Sequence, residues 1–151
     1  MLCSNCAESE RSRVTAVQPS GSIFTANLPV LIIGGFTSIG GAIVGGETVK
    51  GSRHPEMGHV MLRRHPRDLD FAGACPVHGD CLEGLASGPA IKARWGASLS
   101  DLALDHVAHE IIADYLAQFC QTLIALYSPQ RIILGGGVLQ ASGLLDNIRS
   151  R

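Results

Sequence analysis

The chain has 151 residues, of which 46% are hydrophobic and 17% charged, a composition typical of one globular domain rather than a disordered segment. A net charge of −1 gives no indication of a nucleic-acid partner or of an anionic membrane surface. No apolar run reaches the roughly 18 residues of a membrane span, and the N-terminus lacks the apolar core of a secretory signal. We therefore expect a cytoplasmic protein whose five cysteines stay reduced and suit a metal site better than disulfides.

The first part of the chain changes character at Pro29. Residues 1–28 are rich in Ser and Arg and show no period of 2 or 3.6, which predicts a flexible leader without a core of its own. The apolar, β-branched run 30–33 predicts a buried strand, and 42–44 predict a second strand. Between the two strands lies a glycine-containing segment, residues 36–41.

The C-terminal part predicts helices separated by one strand. Residues 86–95 are compatible with a short helix, and apolar residues at 3–4 spacing predict a long helix over 101–126, with Ser100 as its N-cap. Residues 131–134 predict a strand, 135–137 a tight glycine loop, and a last helix starts near Gln140. The strand–helix–strand order predicts an α/β fold.

A loop-rich segment over 54–84 carries the clearest chemical pattern. Cys75, His78 and Cys81 stand at x2 spacing, and His59, 16 residues before Cys75, could supply a fourth ligand. A mixed Cys/His set of four suits tetrahedral zinc, whose binding would order a segment that has little core. Four protein ligands would close the coordination shell, so the sequence predicts a structural metal rather than a catalytic one.

Other readings of the cysteines and histidines stay open on spacing alone. The simplest alternative is two buried cysteines beside a solvated histidine. His54 and His65 are rival ligands within the same segment. Cys3 and Cys6 form another pair at x2 spacing, but no matching pair accompanies them, so we do not expect a metal there.

Two glutamates flank the predicted zinc ligands. Glu56 comes three residues before His59, and Glu83 two residues after Cys81. Carboxylates held by a rigid metal loop are good acceptors for sugar hydroxyl groups. The alternative is that both glutamates are partners of the metal ligands or ordinary surface charges, and the pattern alone does not separate these hypotheses.

The segments His-Pro-Glu-Met-Gly-His at 54–59 and Cys-Pro-Val-His-Gly-Asp-Cys-Leu-Glu-Gly-Leu-Ala-Ser-Gly-Pro-Ala at 75–90 closely resemble the ROK family (repressors, open reading frames and kinases). The loop form with His78 inside it is similar to the bacterial zinc-containing fructokinase branch of that family. Residues 91–96 and 132–138 extend the resemblance, which covers about 29–150 and leaves the leader unmatched.

The resemblance implies a partial actin-like ATPase (ribonuclease H-like) fold with an inserted zinc-binding loop. It implies structural Zn²⁺ on His59, Cys75, His78 and Cys81, and sugar contacts from Glu56, His59 and Glu83. It implies nucleotide contacts from two glycine-rich loops, at Thr37, Gly40, Gly41, Gly135, Gly136 and Gly137. The implied reaction is ATP-dependent phosphorylation of D-fructose to fructose 6-phosphate, with Mg²⁺ on the nucleotide phosphates, in an enzyme that commonly forms homodimers.

The sequence departs from the family pattern at two places. Phe36 and Ser38 stand where the phosphate loop of the family has glycine, and bulk at such positions hinders close phosphate approach. No aspartate precedes Asp68, so the catalytic base and the N-terminal phosphate motif of the family have no counterpart. We therefore expect a truncated domain without a catalytic residue of its own and without turnover in isolation. The alternative is a non-catalytic, zinc-stabilised sugar-binding or interaction remnant.

Overall fold

A computed structural model describes the backbone of residues 13–16, 30–35, 40–45 and 47–48, and residues 55–129 and 131–151 with their side chains. Within these residues the strands are β1 (Arg13–Ala16), β2 (Val30–Gly35), β3 (Gly40–Gly45), β4 (Glu47–Thr48) and β5 (Arg131–Gly136). The helices are α1 (Leu82–Ala86), α2 (Gly88–Trp95), α3 (Val107–Tyr127) and α4 (Leu144–Arg149). Short 3-10 turns cover Met57–His59, Leu99–Asp101 and Gly137–Gln140.

The strands form one mixed sheet in the order β1-β5-β2-β3-β4. β5 pairs in parallel with both β1 and β2, whereas β2 and β3 form an antiparallel pair. β5 therefore lies inside the sheet, and its residues Ile132, Ile133 and Leu134 are buried. A short apolar, β-branched run suits such a position, because an interior strand is covered on both faces.

Pairing of β2 with β5 brings two glycine-rich segments to the same sheet edge. Gly34 pairs with Gly135 and Gly35 with Gly136, so both strands end side by side at their carboxyl ends. Gly136 has φ 103°, a backbone conformation that side chains disfavour and glycine tolerates. The predicted loop over 135–137 is thus largely strand: only Gly137 lies beyond β5, in a 3-10 turn.

Residues 13–16 differ from the prediction of a leader without regular structure. They form β1, which pairs in parallel with β5 from Arg13 opposite Arg131 to Ala16 opposite Leu134. The prediction missed it because four residues are too few to show a period, and strand pairing depends on a partner more than 100 residues away. The remaining leader residues lie outside the part that the structure describes.

The short helix predicted over 86–95 is observed as α2 (Gly88–Trp95), and the shorter α1 (Leu82–Ala86) in front of it was not predicted. α1 ends before Ser87, whose extended backbone (φ −70°, ψ 160°) breaks the helix. The Ser87 side chain then accepts a hydrogen bond from the Ala90 amide at 3.3 Å and caps α2. Gly96, with φ 76°, ends α2, as glycine commonly does at helix C-termini.

The long helix begins at Val107 rather than at residue 101. Its N-cap is His106, whose side chain accepts a hydrogen bond from the Ala108 amide, and Ser100 lies in a separate 3-10 turn. Leu102 has an extended backbone, so the apolar spacing that predicted one helix from residue 101 includes residues that are not helical. The buried face of α3 packs against α1 and α4 and contributes more residues to the core than any other described element.

The last helix begins at Leu144, not near Gln140, because Gly137–Gln140 forms a 3-10 turn and Gly143 precedes the helix with φ 74°. Leu144 and Ile148 join the core. No helix in the described ranges combines the length and the apolar character needed to cross a bilayer.

Candidate functional site

Four candidate metal ligands from three separate segments converge in the structure. The ligand atoms of His59, Cys75, His78 and Cys81 all lie within 4.8 Å of one another. His59 ends the Met57–His59 turn, Cys75 and His78 lie in the following loop, and Cys81 occupies the N-cap position of α1. Spacing predicted Cys75, His78 and Cys81, the family resemblance added His59, and the structure brings together all four.

Backbone hydrogen bonds explain how the segments meet. Met61 and Cys81 form an antiparallel bridge, and the Leu82 amide donates to the Val60 carbonyl at 2.9 Å. This bridge brings the end of the His59 turn beside the start of α1. Cys75 and Gly79 exchange hydrogen bonds of 3.1 and 2.9 Å, which close a tight turn around His78. We refer to residues 75–81 as the metal loop.

The spacing of the ligand atoms fits one tetrahedral ion. His59 Nδ1 lies 3.7 Å from Cys75 Sγ and 3.5 Å from Cys81 Sγ, and His78 Nδ1 lies 3.8 Å from Cys75 Sγ. Zinc bonds of about 2.3 Å to sulfur and about 2.0 Å to nitrogen, at the tetrahedral angle, separate sulfur and nitrogen by about 3.5 Å. The donor set suits zinc, and these three separations are close to those of a tetrahedral zinc site.

The two thiols of the site have different environments. The backbone amide of His78 donates to Cys75 Sγ at 3.4 Å and lowers the pKa of Cys75 to about 6, against the opposing effect of burial. Burial raises the pKa of Cys81, whose residue surface is 0% exposed. A thiolate is the form that binds a metal, and the His78 amide favours that form of Cys75, whereas burial disfavours it at Cys81.

Of the two glutamates, Glu56 lies next to a ligand. Its Oε2 is 3.8 Å from Nε2 of His59, on the opposite side of the ring from the nitrogen that faces the sulfurs. A carboxylate at that position favours the tautomer with a proton on Nε2 and leaves Nδ1 free to bind a metal. Glu83 lies half-buried in the first turn of α1, directly after the metal loop.

Two glycines allow the metal loop to pack tightly. A Cβ atom at Gly84 would lie 1.8 Å from the Gly79 carbonyl oxygen, and one at Gly73 would lie 2.1 Å from the same atom. Gly73 also has φ 89°. Both positions therefore require the absence of a side chain, since Cβ contacts this close do not occur in proteins. Sequence reasoning did not single out these glycines.

A buried ionic cluster formed by Asp68, Arg94 and Tyr115 was also missed from the sequence. Asp68 Oδ2 accepts a hydrogen bond from the Tyr115 hydroxyl at 2.7 Å and lies 2.9 Å from Arg94 Nη1. The side chains of Asp68 and Arg94 are 3% and 8% exposed, and the Arg94 guanidinium stacks on the ring of Phe71 at 4.1 Å. Burial lowers the pKa of Arg94, opposed chiefly by Asp68. Tyr115 occupies an apolar helical position, so no local signal distinguished it from an ordinary core residue.

The rival ligands have other roles or lie outside the description. His65 is buried, accepts a hydrogen bond from the Arg67 amide at Nδ1, and directs Nε2 toward Glu110 at 3.7 Å. It is not part of the ligand cluster. His54, Cys3 and Cys6 lie outside the described residues.

The predicted nucleotide-binding residues are described in part. Gly40 and Gly41 belong to β3 and pair with Gly34 and Ile33 of β2, respectively. The structure therefore has them in a strand rather than in the predicted loop. Thr37 lies outside the described residues.

Comparison with known proteins gives the family. The model of the ROK family matches residues 26–151. A fructokinase of Zymomonas mobilis subsp. mobilis is 52% identical over 112 residues, which are 73% of this chain and 37% of that protein. A fructokinase of Lactococcus lactis subsp. cremoris is 41% identical over 126 residues, 83% of this chain and 43% of that protein. The chain thus spans less than half the length of these curated relatives.

Solved structures confirm the fold. The ROK hexokinase of Thermus thermophilus superposes with a TM-score of 0.64 at 27% identity and covers 81% of this chain and 46% of its own. A ROK family glucokinase from Streptomyces griseus, solved with glucose and AMPPNP, gives a TM-score of 0.59 at 25% identity over 83% of this chain and 50% of its own. The predicted partial actin-like ATPase fold is confirmed, and the chain belongs to the ROK family.

Proposed function

We propose that this chain is the zinc-ordered, sugar-binding part of a ROK kinase that phosphorylates D-fructose with ATP. The observation that carries the proposal is the convergence of His59, Cys75, His78 and Cys81 within 4.8 Å, with glutamates directly before and after them. Identity of 52% and 41% to two proteins named as fructokinases supports fructose as the substrate. Localisation in the cytoplasm and assembly as a homodimer stay predictions.

Zinc has a structural role in this proposal. All four tetrahedral positions would be filled by protein atoms, which leaves none for water or substrate. Few apolar side chains of 61–80 reach the core, so metal binding would supply ordering free energy that hydrophobic packing does not. The ordered loop would then hold Glu56, His59 and Glu83 as acceptors or donors for sugar hydroxyl groups.

The nucleotide would bind at the glycine-rich edge of the sheet, where β2 and β5 end. β2 and β5 end side by side, with Gly35 paired to Gly136, and ligands of open α/β sheets bind outside the carboxyl ends of such strands. Backbone amides of glycine can approach phosphate oxygens closely. Residues 135–137 would contact ATP, and so would Thr37, Gly40 and Gly41, which come soon after β2 in the sequence. The Mg²⁺ of the nucleotide would neutralise charge on the phosphates during transfer.

Metal analysis tests the zinc part of the proposal. The purified chain should contain about one zinc ion per chain, and Cys75→Ser or Cys81→Ser should remove it. Cys120→Ser is the matched control, because Cys120 is buried in α3 outside the cluster and its replacement should leave the zinc content unchanged. Absence of zinc from the unmutated protein under metal-replete conditions would contradict the proposed centre.

Calorimetry tests the sugar part. Zinc-loaded protein should bind D-fructose more tightly than D-glucose, and Glu83→Gln should weaken fructose binding because it removes a charged acceptor. Glu110→Gln is the control, since Glu110 lies on α3, outside the proposed sugar contacts, and pairs with Arg67 at 2.7 Å. Equal binding of both sugars, or no effect of Glu83→Gln, would contradict the assignment.

Activity of this polypeptide is a separate measurement. No aspartate precedes Asp68, and loss of a positioned base costs about 10²–10⁴-fold in rate. A coupled assay with fructose and ATP should therefore show turnover by this chain alone at least about 10²-fold below that of an ordinary kinase. Turnover of about 1–100 s⁻¹, as in ordinary kinases, would show that another group acts as the base.

A further inference from the structure

We propose that Arg64 is a positioning residue for the metal centre, acting through Asp80, an inference that rests on the zinc site proposed above. Arg64 Nη1 donates to Asp80 Oδ2 at 3.2 Å. Asp80 lies within the metal loop, directly before the ligand Cys81 and two residues after the ligand His78. Arg64 thus contacts the loop without being a candidate ligand.

The second terminal nitrogen of Arg64 binds the chain a few residues before the metal loop. Nη2 of Arg64 donates to the backbone carbonyl oxygens of Asp68 and Phe71. A single planar side chain therefore connects residues 68–71 to residue 80. The Arg64 side chain is only 20% exposed, so these contacts are largely shielded from water, which strengthens them.

The anchor for these contacts is the buried ionic cluster. Asp68, whose carbonyl accepts from Arg64, is held through its carboxylate by Tyr115 at 2.7 Å and Arg94 at 2.9 Å. Phe71 lies against the Arg94 guanidinium. Arg64 therefore connects the metal loop to α2 and α3 through groups that are themselves fixed in the core.

The Asp80 contact controls the path of the chain between two ligands. The Asp80 amide donates to the His78 carbonyl at 2.9 Å, so the backbone and the side chain of Asp80 are both held. Loss of the side-chain contact would let the peptide between His78 and Cys81 rotate, which changes the separation of their ligand atoms. Contacts that orient metal ligands from outside the coordination shell typically change metal affinity by about 10–100-fold when removed.

Lysine should replace Arg64 only in part. Lysine keeps the positive charge, but it has a single ammonium group in place of the planar fork that bonds Asp80 and two carbonyl groups together. Graded loss from arginine to lysine to methionine is therefore the expected signature of positioning. A role of charge alone would make arginine and lysine equivalent.

The test measures Zn²⁺ affinity by competition with a chromophoric chelator, and the d–d absorption of Co²⁺ bound in place of zinc. Arg64→Met should weaken Zn²⁺ binding by about 10–100-fold and alter the Co²⁺ band, and Arg64→Lys should lie between it and the unmutated protein. Arg67→Met is the matched control. Arg67 lies three residues away, is 60% exposed and pairs with Glu110 on α3 rather than with the loop, so its loss should change neither readout.

Asp80→Asn and the double variant Arg64→Met/Asp80→Asn complete the experiment. Asp80→Asn alone should weaken Zn²⁺ binding, because a neutral amide is a weaker acceptor for the guanidinium than a carboxylate. The double variant should lose less than the sum of both changes, because both substitutions act on the same contact. Unchanged affinity in Arg64→Met, or additive losses in the double variant, would overturn the inference while zinc binding itself remains. If Arg64→Met does not fold, Asp80→Asn decides: affinity equal to that of the unmutated protein overturns the inference. Failure of the unmutated protein to bind Zn²⁺ or Co²⁺ overturns the zinc centre and this inference together.

Discussion

Substitution of Gly84 by alanine separates local helix propensity from tertiary packing, because the two effects have opposite signs. Gly84 lies in α1, and alanine is favoured over glycine within a helix by about 1 kcal/mol. Local reasoning therefore predicts a more stable protein. The structure predicts the reverse, since the added Cβ would lie 1.8 Å from the Gly79 carbonyl oxygen and 2.9 Å from the Cys75 amide nitrogen.

The magnitude follows from what must move. Both atoms belong to the backbone of the metal loop, so no side-chain rotation relieves the overlap. Overpacking in well-packed regions costs about 1–3 kcal/mol, and a rigid backbone contact belongs at the upper end of that range. After the gain in propensity, Gly84→Ala should lose about 2 kcal/mol, which lowers Tm by roughly 4–8 °C for a chain of this size.

The assay combines thermal unfolding with metal analysis. Gly84→Ala should have a lower Tm and less zinc than the unmutated protein, because the displaced loop carries Cys75. Gly96→Ala is the control: its Cβ would meet nothing within 4 Å, but its φ of 76° should cost about 1–2 kcal/mol with zinc content unchanged. A Gly84→Ala protein with the Tm and zinc content of the unmutated protein would refute the packing argument.

Substitutions at two positions and one thiol-labelling experiment test other parts of the structure; urea unfolding measures the effect of the substitutions. Asp68→Asn should destabilise the protein by about 3–5 kcal/mol, because it leaves the buried Arg94 charge without its anionic partner. His106→Ala removes the side-chain cap on the Ala108 amide and should cost about 0.5–2 kcal/mol, whereas His106→Asn should restore most of it; equal stability of the two variants would contradict the cap. Burial raises the pKa of Cys120 to about 12, so at pH 8 this thiol should react with iodoacetamide only after unfolding. Since the pKa of Cys120 in the folded protein is above the ordinary value of 9.0, the contribution of the buried neutral thiol to the free energy of unfolding should be complete below pH 9 and decline as the pH rises toward 12. Fast labelling of the native protein would contradict the burial argument.

Elements with a local cause were predictable from the sequence. The strand β5 was expected over 131–134, and the structure extends it to Arg131–Gly136. The end of the long helix, before Pro129, was close to the observed end at Tyr127. Its start was wrong by six residues, because the apolar period continued through Leu104, which the structure leaves 71% exposed. A period shows which face a helix would bury, but not where the backbone begins to turn.

The ligand cluster shows how far spacing alone reaches. Cys75, His78 and Cys81 are close in sequence, so a single turn brings them together and the pattern is readable in the chain. His59 depended on the family resemblance, since a gap of 16 residues is compatible with many paths. The Met61–Cys81 bridge brings His59 rather than His65 to the cysteines, and the residue types in the sequence do not predict this pairing.

By itself the sequence determined the family and which Cys and His residues are candidate metal ligands, because residue types and long motifs are properties of the chain order. Only the tertiary structure decided what holds the site in place. Asp68 meets Tyr115 across 47 residues, and Gly84 meets the Gly79 carbonyl across the turn that closes the metal loop. Such contacts depend on distances between segments, which the free energy of the whole fold sets and no local pattern records.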